Sequence, residues 1–127
     1  MGIGDLNIET ARELAAQLTG AGGDVVAWEY DQADESSVNG LVGRATAHFE
    51  RLDGLFANAA DLKVVLEDGD ILSNDLALWE RTLRVNLLGT VMLIRAGLPA
   101  MLAQGGGALV LTSSEAGGIG EPARPAY

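Results

Sequence analysis

The sequence predicts an α/β fold built on a parallel sheet. Short apolar segments, which are typical of strands, alternate with segments whose apolar residues recur at helical spacing. The short segments are almost continuously apolar, as expected of strands that are buried on both faces of a parallel sheet. With 127 residues, of which 48% are hydrophobic, the chain has the size and composition of one folded domain, residues 1–127.

Each predicted element follows from an apolar stripe and the residues that flank it. The elements are, in order, helix 8–18 capped by Asn7, strand 25–30, helix 38–49 capped by Ser36 or Ser37, strand 54–57, a loop or short surface helix within 59–73, helix 76–98 starting at Asn74 or Asp75, and strand 108–112. Pro99 is expected to break the long helix, and the glycines after residue 116 predict a loop up to Tyr127.

Charge and composition exclude several classes of function. A net charge of −10 and a pI near 4.3 disfavour nucleic acid and anionic membrane surfaces as partners. The richest apolar stretch contains Asn86, Arg95 and Pro99, so we do not expect it to span a membrane. The absence of cysteine is compatible with a cytoplasmic location. His48 is the only histidine, so no metal site is predicted.

Polar residues follow the strands at the points where the strands end. Asp31, Asn58 and the pair Ser113 and Ser114 occupy these positions. Ligands of open parallel sheets bind beyond the carboxyl ends of the strands, so these residues are candidates for a site. The alternative is that short polar residues simply form the turns that end strands.

Three motifs in order resemble the classical short-chain dehydrogenase/reductase family. They are Arg-Leu-Asp-Gly-Leu-Phe-Ala-Asn-Ala-Ala at 51–60, Trp79 followed by Arg-Val-Asn-Leu at 84–87, and Ser-Ser-Glu-Ala-Gly at 113–117 with Tyr127 thirteen residues after Ser114. The first is a partial match, because the family's Asn-Asn-Ala-Gly is Ala-Asn-Ala-Ala here. The resemblance implies a Rossmann-like doubly wound parallel sheet and hydride transfer between NAD(P) and an alcohol or ketone.

The resemblance also implies catalytic roles. Tyr127 corresponds to the family's base, Ser114 to the residue that holds the substrate oxygen, and Asn86 to a member of a proton relay. An asparagine within an apolar helix otherwise needs a structural reason, such as a bond to a neighbouring carbonyl.

The implied cofactor residues are Asp5, Asp31, Asn58 and Ala59. By resemblance Asp31 lies near the adenine, and Asn58 and Ala59 lie beside the adenosine ribose. Asp5 would accept hydrogen bonds from the ribose hydroxyls and repel the additional phosphate of NADP, which favours NAD without excluding NADP. The alternative for Asp5 is an ordinary charge near a helix start.

The family pattern is expected to be incomplete in this sequence. Gly2 and Gly4 do not form the family's cofactor loop, because a strand should deliver that loop and only Met1 precedes them. We expect the first strand, glycine loop and first helix to be missing, and the lysine of Tyr-x-x-x-Lys to fall after Tyr127. Strand 25–30 is therefore expected either to pair directly with strand 54–57 or to be poorly folded.

Two functions are consistent with these sequence features. The first is an NAD(P)-linked oxidoreductase acting on a small alcohol or ketone, with a homodimer or homotetramer formed through helix 76–98 by analogy with the family. The second is a non-catalytic remnant or interaction module that does not bind the cofactor on its own.

Overall fold

The computed structural model describes residues 1–120 and 123–127 and confirms the α/β class. The elements are β1 (Gly2–Asp5), α1 (Ile8–Gly20), β2 (Val26–Glu29), α2 (Glu35–Phe49), β3 (Gly54–Ala57), α3 (Val64–Glu67), α4 (Leu76–Thr82), a π-helical segment (Leu83–Gly89), α5 (Thr90–Ala103), β4 (Ala108–Leu111) and α6 (Ala116–Ile119).

The strands form two parallel pairs. β1 pairs with β2, with Gly2 opposite Val26, and β3 pairs with β4, with Gly54 opposite Ala108. The prediction that strand 25–30 pairs with strand 54–57 is therefore wrong, because residues 2–5 form a strand that occupies its edge. Gly4 allows this strand to lie close to α2, since a Cβ at this position would be 2.6 Å from Leu41 Cδ2.

The helices cover opposite faces of the strands. β1 and β3 line the two sides of one groove, so β2 and β4 lie on the outer flanks. The crossovers through α1 and α5 thus run in opposite directions. Because parallel crossovers are right-handed, α1 and α5 lie on opposite faces, which is the doubly wound arrangement.

The main core lies between α2, α5 and the strands. Its buried residues are Tyr30, Val38, Val42, Leu55, Ala57, Leu93 and Met101. Close packing of α5 on β3 depends on Gly97, because a Cβ there would be 2.5 Å from Leu55 Cδ1. This packing fixes the carboxyl end of β3 relative to the helix that follows the predicted catalytic asparagine.

The long predicted helix differs from expectation in two places. Residues Leu83–Gly89 are π-helical, and the helix continues through Pro99 to Ala103. Pro99 and Arg95 are both exposed, so water can solvate the Arg95 carbonyl that loses its intrahelical donor. The helical stretch Leu76–Ala103 is long and apolar enough to cross a membrane by length and composition. It also packs Leu93 and Met101 into the core, as a core helix does.

Three local predictions are corrected. Asp34, not Ser36 or Ser37, caps α2, because its carboxylate accepts the Ser37 backbone N–H at 2.6 Å. The segment 59–73 is not confined to the surface, since Val64 is fully buried. The tail is not entirely a loop, because Ala116–Ile119 forms one helical turn. Residues 121 and 122 of that predicted loop lie outside the described residues.

Candidate active site

A small pocket lies at the carboxyl ends of β3 and β4. It has a volume of about 150 Å³ and is lined by Ala57, Asn58, Ala59, Ala60, Asn86, Thr90, Thr112, Ser113, Ser114 and Tyr127. The three predicted catalytic residues and two of the predicted cofactor residues therefore meet in one place. The pocket forms because parallel strands end at the same edge, as the strand-end pattern indicated.

Asn86 reaches the pocket from the π-helical segment. Its side-chain Oδ1 accepts the backbone N–H of Asp61 at 2.9 Å, and its carbonyl accepts the Thr90 hydroxyl at 3.0 Å. π-Helical turns widen a helix locally and are frequent at functional sites. Because Oδ1 accepts this bond, the Asn86 side chain holds the loop after β3 through its amide oxygen.

Three hydroxyl-bearing residues at the end of β4, Thr112, Ser113 and Ser114, line the pocket. Thr112 Oγ1 donates to Asn58 Oδ1 at 2.7 Å and so orients the Asn58 amide. Ser114 Oγ accepts the Ala116 backbone N–H at 3.3 Å, at the start of α6. Because Ser114 Oγ is the acceptor in this bond, its hydroxyl proton remains available to be donated to another oxygen.

The Tyr127 backbone is attached to Asp68, a residue that the sequence did not indicate for this role. Asp68 Oδ2 accepts the backbone N–H groups of both Ala126 and Tyr127 at 3.0 Å. Asn74 donates to the other oxygen of the same carboxylate. Ala126 is buried against Val64 and Leu78. These contacts bring Tyr127 to the pocket, where its side chain is 39% exposed.

Gln32 connects the strand ends and was also missed. Its Nε2 donates to the carbonyl of Ala59 at 2.8 Å and to that of Val85 at 2.9 Å, and its Oε1 accepts the Tyr30 hydroxyl at 3.0 Å. Gln32 is 4% exposed. A glutamine directly after Asp31, at a predicted strand end, was the available signal. Burial raises the pKa of Tyr30 to about 12, and the Asp31 carboxylate adds to this shift.

An arginine on α4 stabilises the loop after β3. Arg81 forms ion pairs with Asp61 at 2.7 Å and with Glu67 at 2.7 Å. The hydrogen bond to Glu67 is the main reason that the pKa of Arg81 is raised. Asp61 is thus held through its carboxylate by Arg81 and through its N–H by Asn86.

The two predicted aspartates lie away from the pocket. Asp5 ends β1 and lines the inter-sheet groove, a groove of about 880 Å³ between β1 and β3 that Asn58 and Ala59 also line. Asp5 Oδ1 accepts the Asn7 N–H at 2.8 Å. Asp31 is exposed after β2, where its Oδ1 accepts the Ala33 N–H at 2.8 Å and its N–H donates to Ser37. Among the described residues there is no group of three or more acidic or histidine side chains suited to a metal.

The described residues fit one part of a dinucleotide. Asp5, Asn58 and Ala59 lie on the rim of the same groove and offer a carboxylate, an amide and backbone groups, which suit ribose hydroxyls. The 150 Å³ pocket is smaller than the roughly 300 Å³ of typical small-molecule sites. It therefore suits a small reacting group rather than a whole cofactor.

Comparison with known proteins identifies the family. Residues 2–127 match the family described as short chain dehydrogenase. The chain belongs to this family. The D-threitol dehydrogenase of Mycolicibacterium smegmatis is 35% identical over 123 residues, covering 97% of this chain and 46% of the relative. The cis-4-hydroxycyclohexanecarboxylate dehydrogenase of Sinomonas cyclohexanicum is 36% identical over 127 residues, covering 98% of this chain and 49% of the relative.

A solved structure of a dehydrogenase has the same fold. The crystal structure of NAD⁺-bound xylitol dehydrogenase matches with a TM-score of 0.89 and 26% identity, covering 99% of this chain and 47% of that one. The likeness confirms the predicted Rossmann-like parallel sheet and its incompleteness. The chain spans about half the length of the relatives that it matches.

Proposed function

We propose that this chain carries the alcohol-binding half of an NAD-dependent oxidoreductase that interconverts a small alcohol and its ketone. The proposal depends mainly on the pocket in which Asn86, Ser114 and Tyr127 meet beside Asn58 and Ala59. Membership of the short-chain dehydrogenase family supports the reaction class. The lack of cysteine is compatible with the cytoplasm, which we propose as its location.

The proposed roles follow from the groups available in the pocket. Bound NAD supplies the carbon that accepts hydride from the alcohol. The Tyr127 phenolate would accept the proton of the alcohol hydroxyl and become a phenol, which returns the proton when the ketone is reduced. The Ser114 hydroxyl donates to the substrate oxygen and holds it beside Tyr127. Asn86 keeps the pocket wall in place through Asp61, and its side-chain N–H groups can bind a water that relays the proton.

Asp5 is proposed to set the cofactor preference. Its carboxylate is exposed at the end of β1, where it can accept hydrogen bonds from ribose hydroxyls and repel a phosphate on the same ribose. We expect Asp5→Asn to lower the ratio of the NADPH dissociation constant to the NADH dissociation constant at least tenfold. Equal affinities in the unaltered chain would contradict this role.

An oligomer through the long helix is proposed on the basis of its exposed apolar side chains. Leu83, Leu87, Val91, Leu98 and Leu102 are each more than a third exposed. An exposed apolar stripe of this kind commonly marks a protein interface. Leu87→Lys is expected to shift a dimer or tetramer to monomer in analytical ultracentrifugation, while Leu72→Lys, on a loop, leaves the mass unchanged.

The test of the proposed function is cofactor binding followed by turnover. NADH is titrated against the fluorescence of Trp28 and Trp79, and a saturable response is expected. The absence of saturation at millimolar NADH would favour the alternative, a non-catalytic module. NAD⁺ reduction with an added polyol or cyclic alcohol is then measured at 340 nm.

Matched variants separate the proposed residues from general damage. Ser114→Ala and Tyr127→Phe are expected to reduce turnover about a hundredfold or more while NADH binding changes little. Ser36→Ala on an exposed part of α2 is the control. Turnover that survives Tyr127→Phe would refute the assignment of the base.

A further inference from the structure

One segment of the chain contacts two of the proposed catalytic residues. This segment, residues 61–68, runs from the loop after β3 through α3 to the residue that follows α3. At its start, the Asp61 backbone N–H donates to Asn86 Oδ1 at 2.9 Å. At its end, the Asp68 carboxylate accepts the Tyr127 backbone N–H at 3.0 Å. The placement of both catalytic residues in the pocket therefore depends on how this segment is held.

Arg81 of α4 binds segment 61–68 near both of its ends. Its Nε lies 2.7 Å from Asp61 Oδ2, and its Nη1 donates to Glu67 Oε2 at 2.7 Å. A planar guanidinium presents its donors in a fixed geometry, so one arginine can hold two carboxylates in defined directions. Because α4 continues directly into the π-helical segment that carries Asn86, the two ion pairs fix segment 61–68 relative to Asn86.

The start of the segment is held through all the polar groups of Asp61 that face its neighbours. Oδ2 pairs with Arg81, Oδ1 accepts the Lys63 backbone N–H at 3.0 Å, and the Asp61 N–H donates to Asn86. The Asp61 side chain is only 19% exposed, and Arg81 Nε is inaccessible to solvent. Salt screens a partly buried pair of this kind less than it screens an exposed pair.

The end of the segment carries the same restraint to the Tyr127 backbone. Glu67 is the last residue of α3, and Asp68 follows it directly. Val64, on the same helical turn, is fully buried against α4 and Ala126. Apolar burial is non-directional, so it holds the turn close to α4 without fixing which way the turn faces. The bond from Arg81 to Glu67 supplies that direction, and with it the orientation of the Asp68 carboxylate.

We propose that Arg81 is a positioning residue for the oxidoreductase reaction. Its two ion pairs fix segment 61–68, and this segment sets the placement of Tyr127 relative to Asn86. Arg81 lies outside the lining of the pocket, so it acts through the segment and not on the substrate. The inference rests on the proposed function of these residues, and its test is chosen so that the two can fail separately.

Amide exchange in the chain without cofactor tests the positioning directly. Arg81→Gln keeps a polar side chain but removes the charge and the guanidinium geometry. It is expected to raise the exchange rates of the Asp61 and Tyr127 amides at least fivefold in NMR, because local opening becomes easier. Arg12→Gln is the matched control, since it removes an exposed arginine that pairs with Glu9 on α1, and it should leave both rates unchanged.

Substitutions of single partners separate the two ion pairs. Glu67→Gln, at a side chain that is 50% exposed, should raise the Tyr127 exchange rate at least threefold and the Asp61 rate less than twofold. It also decides the question if Arg81→Gln does not fold. Arg81→Lys offers one ammonium group in place of the fork, so its two rates should lie between those of the unaltered chain and Arg81→Gln.

Turnover provides a measurement that a merely structural role would not change selectively. With NAD⁺ and a polyol, Arg81→Gln is expected to lower kcat at least tenfold, while the Kd for NADH changes less than threefold. Arg81→Lys should recover part of the kcat. If the unaltered chain neither binds NADH nor turns over, the proposed function fails, but the exchange rates still decide whether Arg81 positions the segment.

Two results would overturn the proposal. The first is unchanged exchange at Asp61 and Tyr127 in Arg81→Gln, because the apolar contact of Val64 would then hold the segment by itself. The second is an equal rise at the Ala108 amide, which bonds to the Asp53 carbonyl at the opposite end of the β3–β4 pair. Such a rise would show that Arg81 contributes to general stability and not to the position of the catalytic residues.

Discussion

The replacement Gln32→Leu tests the link between the strand ends and the π-helical segment. The substitution removes three hydrogen bonds and replaces the polar amide by an apolar side chain of similar size. The Tyr30 hydroxyl loses its acceptor in a buried environment, and the Ala59 and Val85 carbonyls lose their donor. Leaving a buried polar group without a partner costs about 1 to 3 kcal/mol.

The expected loss follows from how exposed each partner is. The Tyr30 side chain is 3% exposed, so its hydroxyl should contribute most, about 2 kcal/mol. Ala59 is exposed and its carbonyl can be solvated more easily, so the two carbonyls together should add about 1 kcal/mol. The total of about 3 kcal/mol is a large part of the 5 to 15 kcal/mol that is typical of a folded domain.

Urea unfolding followed by the fluorescence of Trp28 and Trp79 measures this loss. Gln17→Leu on the exposed side of α1 is the matched control and should change the free energy of unfolding by less than about 0.5 kcal/mol. In a Tyr30→Phe background the effect of Gln32→Leu should shrink by about 1 kcal/mol or more, because the hydroxyl is gone. A loss below 1 kcal/mol, or the same loss in both backgrounds, would refute the role of Gln32.

Three further predictions concern stability. The pKa of Tyr30 is raised to about 12, against about 10 for an ordinary tyrosine, so the folded state stays protonated while the unfolded state ionises, and stability should fall by about 2 to 3 kcal/mol between pH 10 and 12. Urea titrations at pH 9 and 11.5 should show this loss in the unaltered chain and not in Tyr30→Phe. Gly89→Ala should lower the melting temperature, since its Cβ would lie 2.3 Å from Gln32 Cγ, whereas Gly43→Ala on α2, with nothing within 4 Å, should raise stability by about 0.5 to 1 kcal/mol. The reverse order of the two melting temperatures would contradict the packing around Gly89. Asp68→Ala should raise the amide exchange rate of Tyr127 at least fivefold in NMR, and an unchanged rate would show that Asp68 does not hold the tail.

The sequence by itself determined the class of fold and most of the pocket. Apolar periodicity places strands and helices because burial of one face is a local property of the pattern. The strand-end rule and the family motifs singled out Asn58, Asn86, Ser114 and Tyr127, which meet at one pocket because parallel strands end at a common edge. These inferences needed only local pattern and the geometry that all parallel sheets share.

Only the tertiary structure decided how the parts are held together. No local pattern indicated that Asp68 would bind the Tyr127 backbone 59 residues away, or that Gln32 would join Ala59 and Val85 across 27 and 53 residues. Such bonds depend on which segments fold next to each other, and the type of a single polar residue does not determine which distant residue it bonds to. The pairing of β2 with β1 was missed for the same reason, since strand partners are chosen by global topology and not by local propensity.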